Sequence, residues 1–321
     1  MPSELLISAQ NPKIKRLIAL QKDSSLRREC GLFVVEGRRE LDHCLAAGFT
    51  VDSVFICPEI YTEGFDSISG IQGTMPQNFV LRTHPSHKWA PPVHAATGGH
   101  GFGTQCPSAS DRTEAEVLQD TPLPGGDKNG RFRVFEVSRE VYDKVAYRGG
   151  TEGIIAEVFA RNLTLDELEL PQNPLIAVLE SVEKPGNLGA VLRSADAAGA
   201  DALLVCDPLT DIYNPNVIRA SIGAVFTVPV VACTSAEAIG WLKRNGIRIL
   251  TAQLQDSSAY YDCDMRRGTA LVMGTESTGL SQAWRDAADA HIRIPMLGRL
   301  DSLNVSVSAS ILLFEAVRQR Q

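Results

Sequence analysis

The stretch Leu175-Ile-Ala-Val-Leu-Glu-Ser-Val-Glu-Lys-Pro-Gly-Asn-Leu-Gly-Ala-Val-Leu-Arg-Ser-Ala-Asp-Ala-Ala-Gly-Ala-Asp-Ala-Leu-Leu-Val-Cys206 contains an apolar run, a loop with two glycines, a helical segment and a second apolar run. Residues 175–179 and 202–206 have no polar face of their own, so both predict strands covered on two sides, as in a parallel sheet. Residues 187–198 predict a helix that stops at Gly199. Strand, helix and strand in this order form a crossover unit, and this half of the chain reads as α/β.

Toward the C-terminus the alternation continues. A helix is predicted over 214–222, with Asn214 as cap and Pro215 in its first turn. Strand 228–232, helix 235–245, strands 247–252 and 270–274, a helix near 281–290, strand 291–295 and a final helix 305–318 follow. Toward the N-terminus, acidic residues precede Pro171 and Pro174, and 163–174 predicts a linker between a domain at 1–162 and one at 175–321. The first domain shows a short helix around Ile14–Leu20, strand 32–35, helix 38–47 ended by Gly48, and strand 51–56. Segments 132–137 and 153–158 predict its returning strands. Between them, residues 91–130 hold five Pro and seven Gly with neither periodicity, which predicts a flexible insertion rather than a boundary.

The whole chain has 321 residues, 44% hydrophobic and 21% charged, proportions of a globular protein rather than a disordered or fibrous one. Lys plus Arg is 31 against 38 Asp plus Glu, a formal charge of −7, which argues against a surface that coats nucleic acid as a whole. The average conceals a local exception. From Gln10 to Arg39 eight basic residues face Asp23, Glu29 and Glu36; Lys13, Lys15, Arg16, Arg27, Arg28 and Arg38 are the candidates for phosphate contacts, and a solvated helix face is the competing reading. No apolar run is long enough to span a bilayer and the opening residues lack a signal-peptide pattern, so a cytoplasmic protein without membrane contact is expected. Seven cysteines without a C-x-x-C spacing read as reduced thiols. His84, His87, His94, His100 and Cys106 match no standard metal arrangement, and no metal is expected.

Three loops at strand ends carry the chemistry, because ligands in open α/β sheets bind beyond the carboxyl ends of the strands. The first, Glu180 to Arg193, offers Gly186 and Gly189 for close backbone approach; alone it is a weak signal. The second, Val272-Met-Gly-Thr-Glu-Ser-Thr-Gly-Leu-Ser281, places Glu276 after a strand that ends in Gly274. The third, Ile294-Pro-Met-Leu-Gly-Arg-Leu-Asp-Ser-Leu-Asn-Val-Ser-Val-Ser-Ala309, is too polar for an ordinary helix start, and one of Ser302, Asn304, Ser306 and Ser308 must cap the helix. Tyr260, Tyr261 and Trp284 could stack on bases, with packing as the commoner role.

In this order, N-L-G-A-V-L-R, V-M-G-T-E-S-T-G and I-P-M-L-G-R-L-D-S-L-N-V-S-V-S-A resemble the three motifs of the SpoU-type (TrmH-like) RNA 2′-O-ribose methyltransferases of the SPOUT superfamily. The first domain, with Ser8-Ala-Gln-Asn-Pro-Lys-Ile-Lys and Phe33-Val-Val-Glu-Gly-Arg, is similar to the family's L30e-like substrate-binding domain. The resemblance implies S-adenosylmethionine as methyl donor, a deep trefoil knot, and a homodimer. It implies cofactor contacts at Ala252, Gln253, Gly274, Ile294, Met296 and Leu303, and catalytic residues Asn187, Arg193, Glu276, Ser302 and Asn304. A guanidinium stays protonated, so Arg193 is expected to hold phosphate or the reacting hydroxyl rather than to accept a proton; a surface ion pair is its alternative. One departure stands out: where relatives read T-x-x-P-Q-G-I-I-A, this chain has Arg148-Gly-Gly-Thr-Glu-Gly-Ile-Ile-Ala156.

The expected activity is 2′-O-methylation of structured RNA, ribosomal RNA before tRNA. Two other readings stay open. One is a non-catalytic RNA-binding or ribosome-assembly factor. The other is a nucleotide- or NAD-binding enzyme that uses the Gly186–Gly189 loop with Asp207 as its acidic partner.

Overall fold

The structure is a computed structural model and describes residues 4–62, 132–147, 152–275, 278–299 and 302–321. The first domain comprises β1 (Glu4–Leu6), α1 (Pro12–Lys22), α2 (Ser24–Cys30), β2 (Leu32–Glu36), α3 (Arg38–Ala46), β3 (Val51–Ile56), β4 (Arg133–Val137), α4 (Arg139–Val145) and β5 (Ile154–Phe159). Its sheet runs β1-β4-β3-β5-β2, with β5 antiparallel to both its neighbours and the other pairs parallel. The returning strands lie where the sequence predicts them. Strand β1 was not legible, since three residues show no period. The predicted 91–130 insertion lies outside the described residues. Asp23 divides the first helical region in two: its side chain accepts the N–H groups of Ser25 and Leu26, and its extended backbone ends α1.

The second domain holds β6 (Leu175–Glu180), α5 (Pro185–Ala197), β7 (Ala202–Cys206), α6 (Pro215–Ala220), α7 (Ala224–Thr227), β8 (Val230–Cys233), α8 (Ser235–Arg244), β9 (Arg248–Ala252), β10 (Ser258–Ala259), β11 (Thr269–Met273), α9 (Gln282–Ala287), β12 (Ala290–Arg293) and α10 (Val305–Arg320). All seven strands are parallel, in the order β10-β12-β9-β11-β6-β7-β8. Alternate residues of β6 face opposite cores. Leu175, Ala177 and Leu179 meet α5 and α10, while Ile176 and Val178 meet Trp241 of α8 and Trp284 of α9. This two-sided burial explains the uninterrupted apolar runs.

Two predicted helices are shorter than expected. The helix predicted over 214–222 ends at Ala220, and Ile222 and Gly223, at φ +55 and +84, separate α6 from α7. After Ala287 the chain is drawn into the sheet, where Asp289 exchanges hydrogen bonds with Ile249 through its backbone N–H (2.9 Å) and its carboxylate (2.8 Å).

The domains share a core. Phe33 of β2 stacks on Tyr213 at 4.3 Å between ring centroids, with Phe49 and Phe226 packed around them. Tyr213 donates to the Arg161 carbonyl at 2.6 Å, and burial pushes its hydroxyl up to about 12. Residues 163–174 are not a free tether, because Leu163, Leu165, Leu168 and Leu170 lie against the Trp241–Trp284 face.

Two glycines set close approaches in the second domain, at Gly189 and Gly274. A Cβ on Gly189 of α5 would sit 2.5 Å from the Cβ of Ala220. Gly189→Ala is therefore expected to destabilise the protein by about 1–3 kcal/mol, the usual cost of overpacking, measured by urea denaturation.

Candidate active site

Strands β9, β11 and β12 are adjacent and parallel, so their carboxyl ends open on one side of the sheet. The loops that follow them enclose a cavity of about 400 Å³. Ala252, Gln253, Gly274, Ile294, Met296 and Leu303, the six predicted cofactor contacts, all line it. Ser302 lines it too, together with Thr275, Thr278 and Arg285, which the motif reading did not single out.

The wall at Gly274 is backbone against backbone. Thr275 and Gly279 exchange N–H···O bonds of 3.2 and 3.1 Å, and Gly279 sits at φ +67. A Cβ on Gly274 would lie 2.3 Å from the carbonyl of Gly279, so no side chain fits there. At another part of the wall the Gln253 side chain donates to the Gln255 carbonyl at 2.9 Å, while its Oε1 is buried without a hydrogen-bond partner among the described residues. A buried acceptor of this kind is a place for a donor from a ligand.

A second cavity of about 260 Å³ adjoins the first and shares Gly274, Thr275 and Val305 with it. Asn187, in the first turn of α5, lines it. Asn304 caps α10, accepting the Ser306 N–H at 3.0 Å and the Ser306 hydroxyl at 2.6 Å. Its amide donates to Asn187 Oδ1 at 3.2 Å. The structure thus joins the first and third motifs through one amide pair, and Asn304 is the cap that the polar run demanded.

Arg193 is exposed on α5, lines neither cavity, and makes no ion pair or hydrogen bond among the described residues. Glu276 lies outside the described residues, as do Arg148–Thr151 and the histidines of 84–100. Among the described residues no group of three or more His, Cys, Asp or Glu could hold a metal ion.

The basic cluster divides, and two of its members correct the sequence reading. Arg16 is buried and pairs with the Glu157 carboxylate and with Asp52 at 3.1 Å; Arg133 meets the same Asp52 at 2.7 Å. Burial raises the Glu157 carboxyl despite that pairing. Arg27, 4% exposed, pairs with Asp211 of the second domain at 2.6 Å and donates to the Leu20 carbonyl. Both charges are spent inside the fold, because an unpaired buried cation is too costly to keep. Lys13 is half-buried beside Glu4 and the Phe135 ring, and Arg38 bonds Asp42 and Tyr61. Lys15 and Arg28 remain exposed.

Other candidates resolve similarly. Trp284 is fully buried and donates to the Ser235 hydroxyl at 2.9 Å, and Asp207 accepts the Ser235 N–H and hydroxyl at 3.2 and 2.6 Å. Both are structural, which removes the acidic partner from the NAD reading.

Comparison with known proteins matches the two halves separately. A model of the SpoU rRNA Methylase family covers residues 174–314, and one of the MRM3-like substrate binding domain covers residues 11–81. A 23S rRNA (guanosine-2′-O-)-methyltransferase RlmB of Bordetella pertussis is 37% identical over 216 residues, 66% of this chain and 88% of that protein. The chain belongs to the SpoU methylase family. A solved structure of an RNA 2′-O ribose methyltransferase is 31% identical, with TM-score 0.70 over 98% of this chain and 99% of that one. The AdoMet-bound rRNA methyltransferase from Sinorhizobium meliloti shares the fold at 23% identity, with TM-score 0.75 over 98% of each chain.

In this SpoU protein the cap and the amide contact of Asn304 are separable. Asn304→Ala is expected to cost about 1 kcal/mol of stability through the lost cap, whereas Asn304→Ser keeps a capping oxygen and loses only the bond to Asn187. Thermal denaturation of both variants, with Ser close to wild type, checks the assignment.

Proposed function

We propose that this protein is an S-adenosylmethionine-dependent RNA 2′-O-ribose methyltransferase acting on ribosomal RNA in the cytoplasm. The observation that carries the reading is the convergence of all three family motifs on two adjoining cavities, with every predicted cofactor contact on the wall of one of them. The donor fits on grounds of shape and polarity. The cavity has a backbone cradle at Gly274 that any Cβ would fill, and an orphaned buried acceptor at Gln253. Ala252, Gln253, Gly274, Ile294, Met296 and Leu303 would hold it. When bound, its sulfonium supplies an electrophilic methyl group.

The rest of the work falls to this chain. Asn187, held by Asn304, orients the acceptor ribose in the second cavity, since reactants must be aligned for an in-line displacement. Ser302 and Glu276 belong to the same constellation by motif position. Arg193 is cationic at any physiological pH, so it steadies a phosphate or the developing charge on the ribose oxygen, and the hydroxyl proton passes to solvent. Because Arg193 lines neither cavity of its own chain, the reading includes a homodimer in which Arg193 serves the partner's donor site. The strand order supports the knot: β11 enters between β9 and β6 after β10 has been laid at the sheet edge, β12 returns outside β9, and α10 packs back on α5. Of the six candidate phosphate contacts, Lys15 and Arg28 are the ones that stay exposed on the first domain.

Among the described residues no helix is long and apolar enough to cross a membrane.

Maps of 2′-O-methylation in total RNA with and without the gene are expected to differ at a ribosomal position; a tRNA position instead identifies the other substrate, and unchanged maps overturn the reading. Arg193→Ala is expected to lower the methylation rate by about two orders of magnitude, as loss of an oxyanion-type contact does, with S-adenosylhomocysteine binding intact. Gly274→Ala is expected to do the reverse, abolishing that binding by calorimetry. Mixed dimers of the two variants then recover part of the activity, and no recovery in verified heterodimers defeats the shared site. Lys15→Ala with Arg28→Ala should flatten the salt dependence of RNA affinity by about two in log–log slope.

A further inference from the structure

Glu180, the last residue of β6, is a carboxylate only 7% exposed, in a chain whose motif reading gives it no role. Its Oε2 accepts the backbone N–H of Ser281 at 2.8 Å. Ser281 closes the loop that began at Gly274, and that loop forms one wall of the donor cavity. The opposite end of the loop is anchored at the same place. Met273 of β11 pairs in register with Leu179 of β6, the residue before Glu180. One strand terminus therefore grips both ends of the loop, at one end through the sheet and at the other through a side chain.

The second carboxylate oxygen is differently placed. Glu180 Oε1 lies 3.4 Å from the Ser235 hydroxyl, but that hydroxyl has a single proton and sits 2.6 Å from Asp207 while accepting from Trp284 at 2.9 Å. The Asp207–Ser235–Trp284 chain thus secures α9 to α8 by itself. Glu180 is left with one firm bond, the one to the loop. Gly274 and Gly279 are already too close for a methyl group between them. If Ser281 drifts from β6, Gly279 must move, and the cavity wall moves with it.

We infer that Glu180 is a positioning residue for the methyl donor, holding the Gly279–Leu280 part of the cavity wall in its binding shape through the Ser281 N–H. The inference rests on the donor reading above. Glu180 also lines the second cavity, which shares Gly274, Thr275 and Val305 with the first.

The test is the affinity of the full-length protein for S-adenosylhomocysteine, by calorimetry, at a temperature where near-ultraviolet circular dichroism shows each variant folded. Glu180→Ala is expected to bind about tenfold or more weakly, the order of effect for one lost charge-assisted hydrogen bond. Glu180→Gln, which keeps an acceptor for the Ser281 N–H, is expected within about threefold of wild type by the same measure. Ser281→Pro removes the N–H while leaving Glu180 in place, at a residue whose φ of −64 suits proline and whose hydroxyl caps nothing, and is expected to match Glu180→Ala. It also decides the matter if Glu180→Ala does not fold. A purely structural carboxylate would lower the melting temperature and leave the affinity of folded protein unchanged. Folded Glu180→Ala or Ser281→Pro binding like wild type overturns the inference, as does a Gln variant no better than Ala. Wild-type protein that binds no S-adenosylhomocysteine overturns the donor reading, and this one falls with it.

Discussion

The backbone of Gly274 rests directly on that of Gly279 and Leu280, and the catalytic half of the molecule is arranged around that contact. Strand β11 has to end where its neighbours β6 and β9 end for the loop to fold over on itself in this way. The loop then forms the partition between the two cavities, one lined by the residues of the second and third motifs and the other by Asn187 of the first. A Cβ on Gly274 would collide with Gly279, and Gly279 itself sits at φ +67, so each position calls for glycine for a different reason.

Supporting this partition takes buried polar chemistry on the underside of the sheet. Glu180, Asp207, Ser235 and Trp284 are satisfied by one another and by the Ser281 N–H. A half-satisfied network here would be worse than an apolar core, and the low dielectric that makes these bonds strong also makes their loss expensive. The first domain uses the same device at Arg16, Asp52, Glu157 and Arg133. The two domains are then fixed by Phe33 on Tyr213 and by Arg27 on Asp211, so the first domain is packed against the second rather than tethered to it.

Arg193 and Arg27 show how a charge reads differently in one dimension and in three. Both stand in polar sequence. Arg27 is sealed in the domain junction, whereas Arg193 stands exposed on α5, away from the cavities of its own chain. A charge count over 10–39 is a true statement about composition, yet it could not distinguish cations committed to carboxylates far along the chain from those left for phosphate. Glu157 lies 141 residues from Arg16, and Asp211 lies 184 from Arg27.

Periodicity and local chemistry belong to the sequence. Uninterrupted apolar runs required a parallel sheet covered on both faces, Asn214 and the polar run at 302–308 marked helix starts, and the three motifs named the chemistry and, with Asn187, Ser302 and the six expected cofactor contacts, most of the residues that line the cavities. These were legible because each depends on residues within a few turns of one another. The tertiary structure decided what depends on residues far apart in the chain: that β11 lies between β9 and β6, that Asn304 touches Asn187, that Arg16 and Arg27 are buried, and that Glu180 holds the loop ending at Ser281. Those outcomes follow from which surfaces are removed from water together, a property of the assembled chain that no local window contains.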